Sequence, residues 1–311
     1  MEETLSSEKI ESLFQHQLVE WATARDNYVA LSSVKEKSFV VGNAHYKVQY
    51  NPARIVSSAA KVDKVSLLKR QCFLCEANRP AEQKGIKWRD YTVIINPFPI
   101  FKRHLTIPAN THTAQRIISR IGDMMSLAFE LKDFVIFYNG PKCGASAPDH
   151  MHFQAGLKGL MSYPDDVKNA VLSEVKTLRD ARLSVAKGMG RTAYLIESQS
   201  VEAGEELFNK LYDKLSIPEG EYEPMLNVLC WWTENEGWTV AVFPRRKHRP
   251  DCYYAEGDAA YLISPASVDM GGVFITPLEK DFNRVSGDIV QQILDEVCLP
   301  EEDAERFVND F

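Results

Sequence analysis

Residues 134–156, FVIFYNGPKCGASAPDHMHFQAG, hold the side chains best suited to chemistry. Phe134 to Tyr138 is an apolar and aromatic run, Asn139 to Asp149 is rich in turn residues, and His150 opens a second extended segment. The segment therefore reads as strand, tight turn, strand. Side chains alternate along an extended chain, so His150, His152 and Gln154 share one face while Met151 and Phe153 take the other. In the turn, Gly140, Gly144, Ala145 and Ser146 are small enough for backbone N–H groups and a hydroxyl to approach an anion. Together they read as a phosphate cradle beside a nucleophilic histidine. Two histidines at this spacing also suit a pair of metal ligands, or two partly exposed polar residues.

A second local pattern is Cys72-Phe73-Leu74-Cys75. Two thiolates at this spacing grip one tetrahedral zinc from a single turn. A redox pair or two buried thiols have the same spacing, although the βαβ context of a thioredoxin-like redox motif is missing.

The run Asn-Gly-Pro-x-Cys-Gly-Ala-Ser followed by His-x-His-x-Gln resembles the active-site segment of the histidine-triad superfamily, in its transferase branch. That branch holds galactose-1-phosphate uridylyltransferases, diadenosine tetraphosphate phosphorylases and GDP-galactose phosphorylases. The resemblance implies that His152 attacks the α-phosphate of a nucleotide and is transiently nucleotidylated, with Gln154 and Ser146 holding phosphate oxygens. A glutamine where hydrolases have a third histidine marks transferases and phosphorylases. The donor is then a nucleoside diphosphate sugar or dinucleoside polyphosphate, and the acceptor is phosphate or a sugar phosphate. The resemblance also supplies two further ligands, His112 and His150, for a structural zinc on Cys72 and Cys75. It implies substrate contacts at Arg54 and Lys61, within Tyr50 to Lys64, and at Asn139, Lys142 and Gly144 of the turn. Similarity to the branch extends over most of residues 50–277, including Tyr261 to Pro277. No ligands for a second metal site are found, so none is expected.

The elements around this segment follow from periodicity. Residues 7–28 read as a helix that Ser7 can cap, with Ile10, Leu13, Phe14, Leu18 and Trp21 at helical spacing. Strands are expected at 38–41, 46–50, 90–97 and 100–108, and a helix capped by Asn110 or Thr111 and running through Lys132. His104, in the second strand of the 90–108 hairpin, reads as a packed or exposed strand residue. Residues 164–188 read as charged and helical, 191–197 as a strand, 202–215 and 287–297 as helices. Pro224 to Pro250 repeats the strand, turn, strand and basic exit of residues 90–108. That echo resembles the duplicated fold of the transferase branch: α+β, antiparallel sheets with packed helices, one half at 1–158 with the nucleophile and zinc site, a degenerate half at 159–311. The exit carries Arg245, Arg246, Lys247, His248 and Arg249. As a solvated charge run it needs no ligand; near a cleft, Arg245 and Arg246 would neutralise the β-phosphate or receive the second substrate.

Composition narrows the classes. The chain has 311 residues, 45% hydrophobic and 25% charged, enough for one large or two ordinary domains with a real core. A net charge of −7 argues against broad nucleic-acid binding, which needs a basic footprint. No apolar stretch reaches the roughly 18 residues of a membrane span. The acidic start Met-Glu-Glu-Thr-Leu has no apolar signal region, so a cytoplasmic monomer or homodimer with reduced cysteines is expected. Two other functions fit the residues: a catalytically silent zinc- and nucleotide-binding protein, and a nucleotide hydrolase. Intact His152 and Gln154 weigh against the first, and Gln154 against the second.

Overall fold

The first helix shows how local sequence sets the frame. Ser6, not Ser7, caps it by accepting from the backbone N–H of Lys9 at 3.3 Å, and the helix runs Ser7–Glu20. Trp21 is extended, so the expected single helix is two, the second being Ala22–Ala30. Ile10, Leu13 and Phe14 are buried, as their spacing requires. The computed structural model describes residues 4–55, 62–308 and 311; Lys61, expected from the resemblance to contact substrate, lies outside them.

Among the described residues, thirteen strands form two sheets. β1 (Lys35–Val41), β2 (Ala44–Tyr50) and β13 (Val273–Thr276) make a three-stranded sheet, β13 parallel to β2. The other ten are β3 (Gly85–Trp88), β4 (Tyr91–Ile95), β5 (His104–Pro108), β6 (Phe134–Asn139), β7 (His152–Leu157), β8 (Val171–Leu178), β9 (Ala181–Lys187), β10 (Ala193–Ser198), β11 (Leu226–Thr233) and β12 (Gly237–Pro244). They lie in the order β3-β4-β5-β7-β6-β11-β12-β10-β9-β8, every neighbour antiparallel. From either edge inward the two sets of five strands follow the same sequence order, and β6 of one set pairs with β11 of the other in the middle. The fold is α+β.

Each face of this sheet buries its own core. Ile136, Tyr138, Met151 and Phe153 pack beneath the helices Ser7–Glu20, Ile121–Glu130 and Val201–Lys214, with Phe14, Met124 and Phe208. Val135, Phe137 and Phe243 face the small sheet and the helix Gly287–Val297, through Tyr46, Phe274 and Leu294. Each large apolar side chain so buried contributes about 1.5–3 kcal/mol. Alternation through residues 151–154 therefore holds: Met151 and Phe153 go to the helical side, and His152 and Gln154 are left on the other, while His150 lies in the turn before β7.

Two further expectations fail. Residues 164–188 are mainly the hairpin β8–β9, turning at Arg179, whose φ of 53° is left-handed. Ala181, Leu183 and Val185 bury one face at a period of two, which outweighs the scattered charges that suggested a helix. The helix expected from residue 110 begins only at Ile121, because Ser119 at φ 64° breaks any helical run before it. Among the described residues, no helix is long and apolar enough to cross a membrane.

Candidate active site and metal centre

Cys72, Cys75, His112 and His150 converge, with their four ligand atoms all within 4.8 Å of one another. Cys72 Sγ lies 3.3 Å from His150 Nδ1, and Cys75 Sγ lies 3.1 Å from His112 Nδ1 and 3.5 Å from His150 Nδ1. Bond lengths of about 2.3 Å to sulfur and 2.0 Å to nitrogen separate tetrahedral ligand atoms by roughly 3.5 Å, so the spacing suits one small ion. The turn is tightened by Cys75 N–H donating to the Cys72 carbonyl and by Asn78 Nδ2 donating to the same oxygen at 2.9 Å. His150 Nε2–H donates to the Ala109 carbonyl at 2.8 Å, which fixes the tautomer and leaves Nδ1 as the ligand atom. Burial holds the His150 ring neutral, and burial and Cys72 push the Cys75 thiol up, a cost that a dication would offset. The donor set fits a metal.

Two residues further on, His152 is buried and held in a different way. Its Nδ1–H donates to the His150 carbonyl at 2.8 Å; because a carbonyl can only accept, Nε2 keeps its lone pair. Its backbone N–H donates to Gln115 Oε1 at 2.7 Å, while Gln115 Nε2 donates to the carbonyls of His152 and Asn139, each at 3.0 Å. Gln115 is fully buried and clamps the end of β6 to the start of β7. Burial lowers the His152 pKa to about 4, so the ring is neutral at pH 7. Gln154 Oε1 lies 3.0 Å from Nε2 of His104, which is buried between Phe101 and Phe137.

The turn between these strands forms one wall of a cavity, through Gly144, Ala145 and Ser146. Gly144 has φ 95°, and a Cβ there would stand 2.4 Å from the Cβ of Ala266, so this close approach of the Pro265–Ala266 segment admits only glycine. Arg54, His248, Arg249, Ser264 and Asp269 line the rest. Arg54 Nη1 donates to the Phe98 carbonyl at 2.6 Å, and its Nε is buried with no protein acceptor among the described residues. Arg249 stacks on Tyr253 at 4.1 Å and donates from Nε to Ser264 Oγ at 3.0 Å. Burial and the neighbouring Arg249 lower His248 to about 4, and burial raises Asp269 to about 7. Arg70, just before the Cys pair, is ion-paired to Asp149 at 2.5 Å and ties the metal loop to the turn.

Of the expected substrate residues, Arg54, Gly144 and Ser146 share this cavity, while His152 and Gln154 lie on β7 outside its lining. Arg245 is a correction. Its guanidinium donates to the carbonyls of Val297, Pro265, Lys247 and His248 and to Asn227 Oδ1, at 2.7–3.1 Å, so all five N–H groups are used inside the protein. It builds the loop that carries His248 and Arg249 into the cavity. Arg246 is turned to the surface, where it donates to the carbonyls of Glu296 and Asp295. Lys142 pairs with Glu221 at 3.6 Å, and Asn139 Oδ1 accepts from Asn227 Nδ2 and the N–H of Ser267; neither lines the cavity. Sequence reasoning missed Gln115 and the partnership of His104 with Gln154. It noted Arg249 only as part of a charge run.

The fold, a ten-stranded antiparallel sheet with helices on one face and a small sheet on the other, has counterparts among solved structures. Yeast Ap4A phosphorylase Apa2 has it: TM-score 0.60, 16% identity, covering 90% of this chain and 97% of that one. The same enzyme in complex with Ap4A gives a TM-score of 0.57 at 16% identity, with coverage of 90% and 97%. A GalT-like protein from Arabidopsis thaliana matches at a TM-score of 0.40 and 13% identity, covering 84% of this chain and 99% of that one. The family model described as a domain of unknown function, DUF4922, matches residues 13–157. No curated protein matches the chain in sequence.

Proposed function

We propose that this chain is an enzyme, a nucleotidyltransferase or phosphorylase that works through a nucleotidyl-His152 intermediate. The observation that carries the reading is the division of labour between two nearby imidazoles. His150 turns Nδ1 to the cysteine cluster of Cys72 and Cys75, whereas His152 is held through Nδ1–H with Nε2 unprotonated. A neutral, oriented imidazole is what attack on phosphorus needs.

In the proposed reaction Nε2 of His152 forms a bond to the α-phosphorus as the bond to the bridging oxygen breaks, and the electron pair leaves on that oxygen. Gln154 and Ser146 hold phosphate oxygens. Arg54 and Arg249 in the cavity balance the charge of the leaving group and then that of the acceptor, phosphate or a sugar phosphate. The acceptor oxygen displaces His152 from phosphorus, giving ping-pong kinetics. Cys72, Cys75, His112 and His150 would hold zinc, which supplies structural anchorage at the base of β7. The donor is a nucleoside diphosphate sugar or a dinucleoside polyphosphate; the fold shared with Ap4A phosphorylase supports the latter class. We place the junction of the two halves at 158/159, supported by the similar strand orders on either side.

The test is intact mass after incubation with a panel of nucleotides. A gain of one nucleotidyl group, lost in His152→Ala and discharged by phosphate or a sugar phosphate, is the expected result. No adduct with any nucleotide would favour a binding protein, and discharge by water alone a hydrolase.

A further inference from the structure

We infer that His104 is a positioning residue that fixes which end of the Gln154 carboxamide faces the substrate, an inference that rests on the role proposed for Gln154. The two residues stand on adjacent strands, β5 and β7, where Thr106 is the direct partner of Gln154 and His104 that of Gly156. The backbone N–H of Ile100 points at His104 Nδ1 at 3.2 Å. A backbone amide can only donate, so Nδ1 must be the acceptor and the proton of the neutral ring sits on Nε2. That N–H in turn needs an acceptor. The atom it meets, 3.0 Å away on Gln154, must therefore be the carbonyl oxygen, and the NH2 group is left pointing away from His104.

The direction of this chain of hydrogen bonds matters because the substrate is an anion. A glutamine is ambivalent: rotated by half a turn about its last bond, it would offer a carbonyl oxygen to phosphate and repel it. His104 removes that ambiguity. The amide oxygen is taken by the ring, and two N–H donors remain for phosphate oxygens whose charge grows as the bond to the leaving group breaks. The ring is itself immobilised, fully buried between Phe101 and Phe137. Burial and the charge of Arg54 hold it neutral, with a pKa of about 3, so the donor direction does not reverse at physiological pH.

Two measurements on the full chain test this. Histidine-selective 15N NMR, with His104 assigned by its loss in His104→Phe, is expected to show a neutral ring protonated at Nε2 from pH 5 to 8; protonation at Nδ1 overturns the inference. The second is a double-mutant cycle on turnover, using diadenosine tetraphosphate and a set of nucleoside diphosphate sugars with inorganic phosphate. Gln154→Ala is expected to slow turnover by about 100-fold and His104→Phe by about tenfold, while His104→Gln, which keeps a donor at the Nε2 position, stays within about threefold of the native protein. On the Gln154→Ala background, His104→Phe should cost less than about twofold further. An equal loss on both backgrounds would mean that His104 acts only on the fold and would overturn the inference. Native protein inactive toward every nucleotide but protonated at Nε2 would remove the proposed function and leave the amide orientation standing.

Discussion

The Nδ1–H of His152 donates to the carbonyl oxygen of His150 at 2.8 Å, so the residue that joins the Cys72, Cys75 and His112 cluster also orients the ring two positions later. With zinc on this cluster and His152 as the nucleophile, as proposed, removing the metal should reach the reacting ring. We expect a single zinc per chain by elemental analysis, and expect chelation or Cys75→Ser to slow nucleotidylation about 10- to 100-fold, in the range typical of losing a metal site's supporting contacts. The melting temperature should fall with it, measured by calorimetry on the metal-loaded and stripped chain.

Gln115 makes three hydrogen bonds to backbone groups of His152 and Asn139 from a fully buried position. Gln115→Ala leaves an N–H and two carbonyls unpaired away from water, a loss of roughly 2–4 kcal/mol in urea unfolding. Gln115→Glu should not restore it, because a carboxylate cannot donate to the two carbonyls.

Arg245 and Arg249 should separate stability from activity. Arg245→Met strips five acceptors, three of them in fully buried hydrogen bonds, and is expected to cost at least about 3 kcal/mol; Arg245→Lys, with three donors on a flexible stem, should recover little of it. Arg249→Ala, at the cavity, should change stability by less than about 1 kcal/mol. Its effect belongs in the steady-state kinetics, as about a tenfold or greater loss in kcat/KM.

Glu223 gives a pH signature. It accepts from Tyr138 Oη–H at 2.8 Å and from the N–H of Ile117 at 2.6 Å, yet burial dominates and raises its pKa from 4.5 to about 8. The folded state thus holds a proton that the unfolded state releases above about pH 4.5. Its stabilising effect is full below pH 4.5 and is lost as pH rises to about 8. Denaturation midpoints measured across that window should decline in the native protein, and Glu223→Gln should flatten this part of the slope.

What the sequence made legible was local. The Cys pair and the alternation through residues 151–154 depend on spacings of a few residues, and the structure places them as that spacing requires. Of the small turn residues, Gly144, Ala145 and Ser146 line the cavity and Gly140 does not. The misreadings came where distant segments decide. Gln115 sat in a stretch with helical periodicity, and only the left-handed Ser119 and the clamp on β6 and β7 explain its place. Within the basic run, nothing in the order Arg-Arg-Lys-His-Arg says that the first guanidinium is consumed by carbonyls and the last reaches the cavity. The β8–β9 hairpin shows the same limit, since charge density on an exposed strand resembles that on an exposed helix until the buried partner face is known.

The meeting of β6 with β11 has a practical outcome for anyone cutting this chain. A fragment ending at residue 157, where the family model stops, would expose the Ile136–Asn139 stretch as a bare apolar strand edge, a template for sticking to other copies. It would also leave the cradle turn facing solvent, without Arg249, Ser264 or Ala266 opposite it. To keep that edge covered, residues 1–157 have to be expressed together with the segment that carries β11.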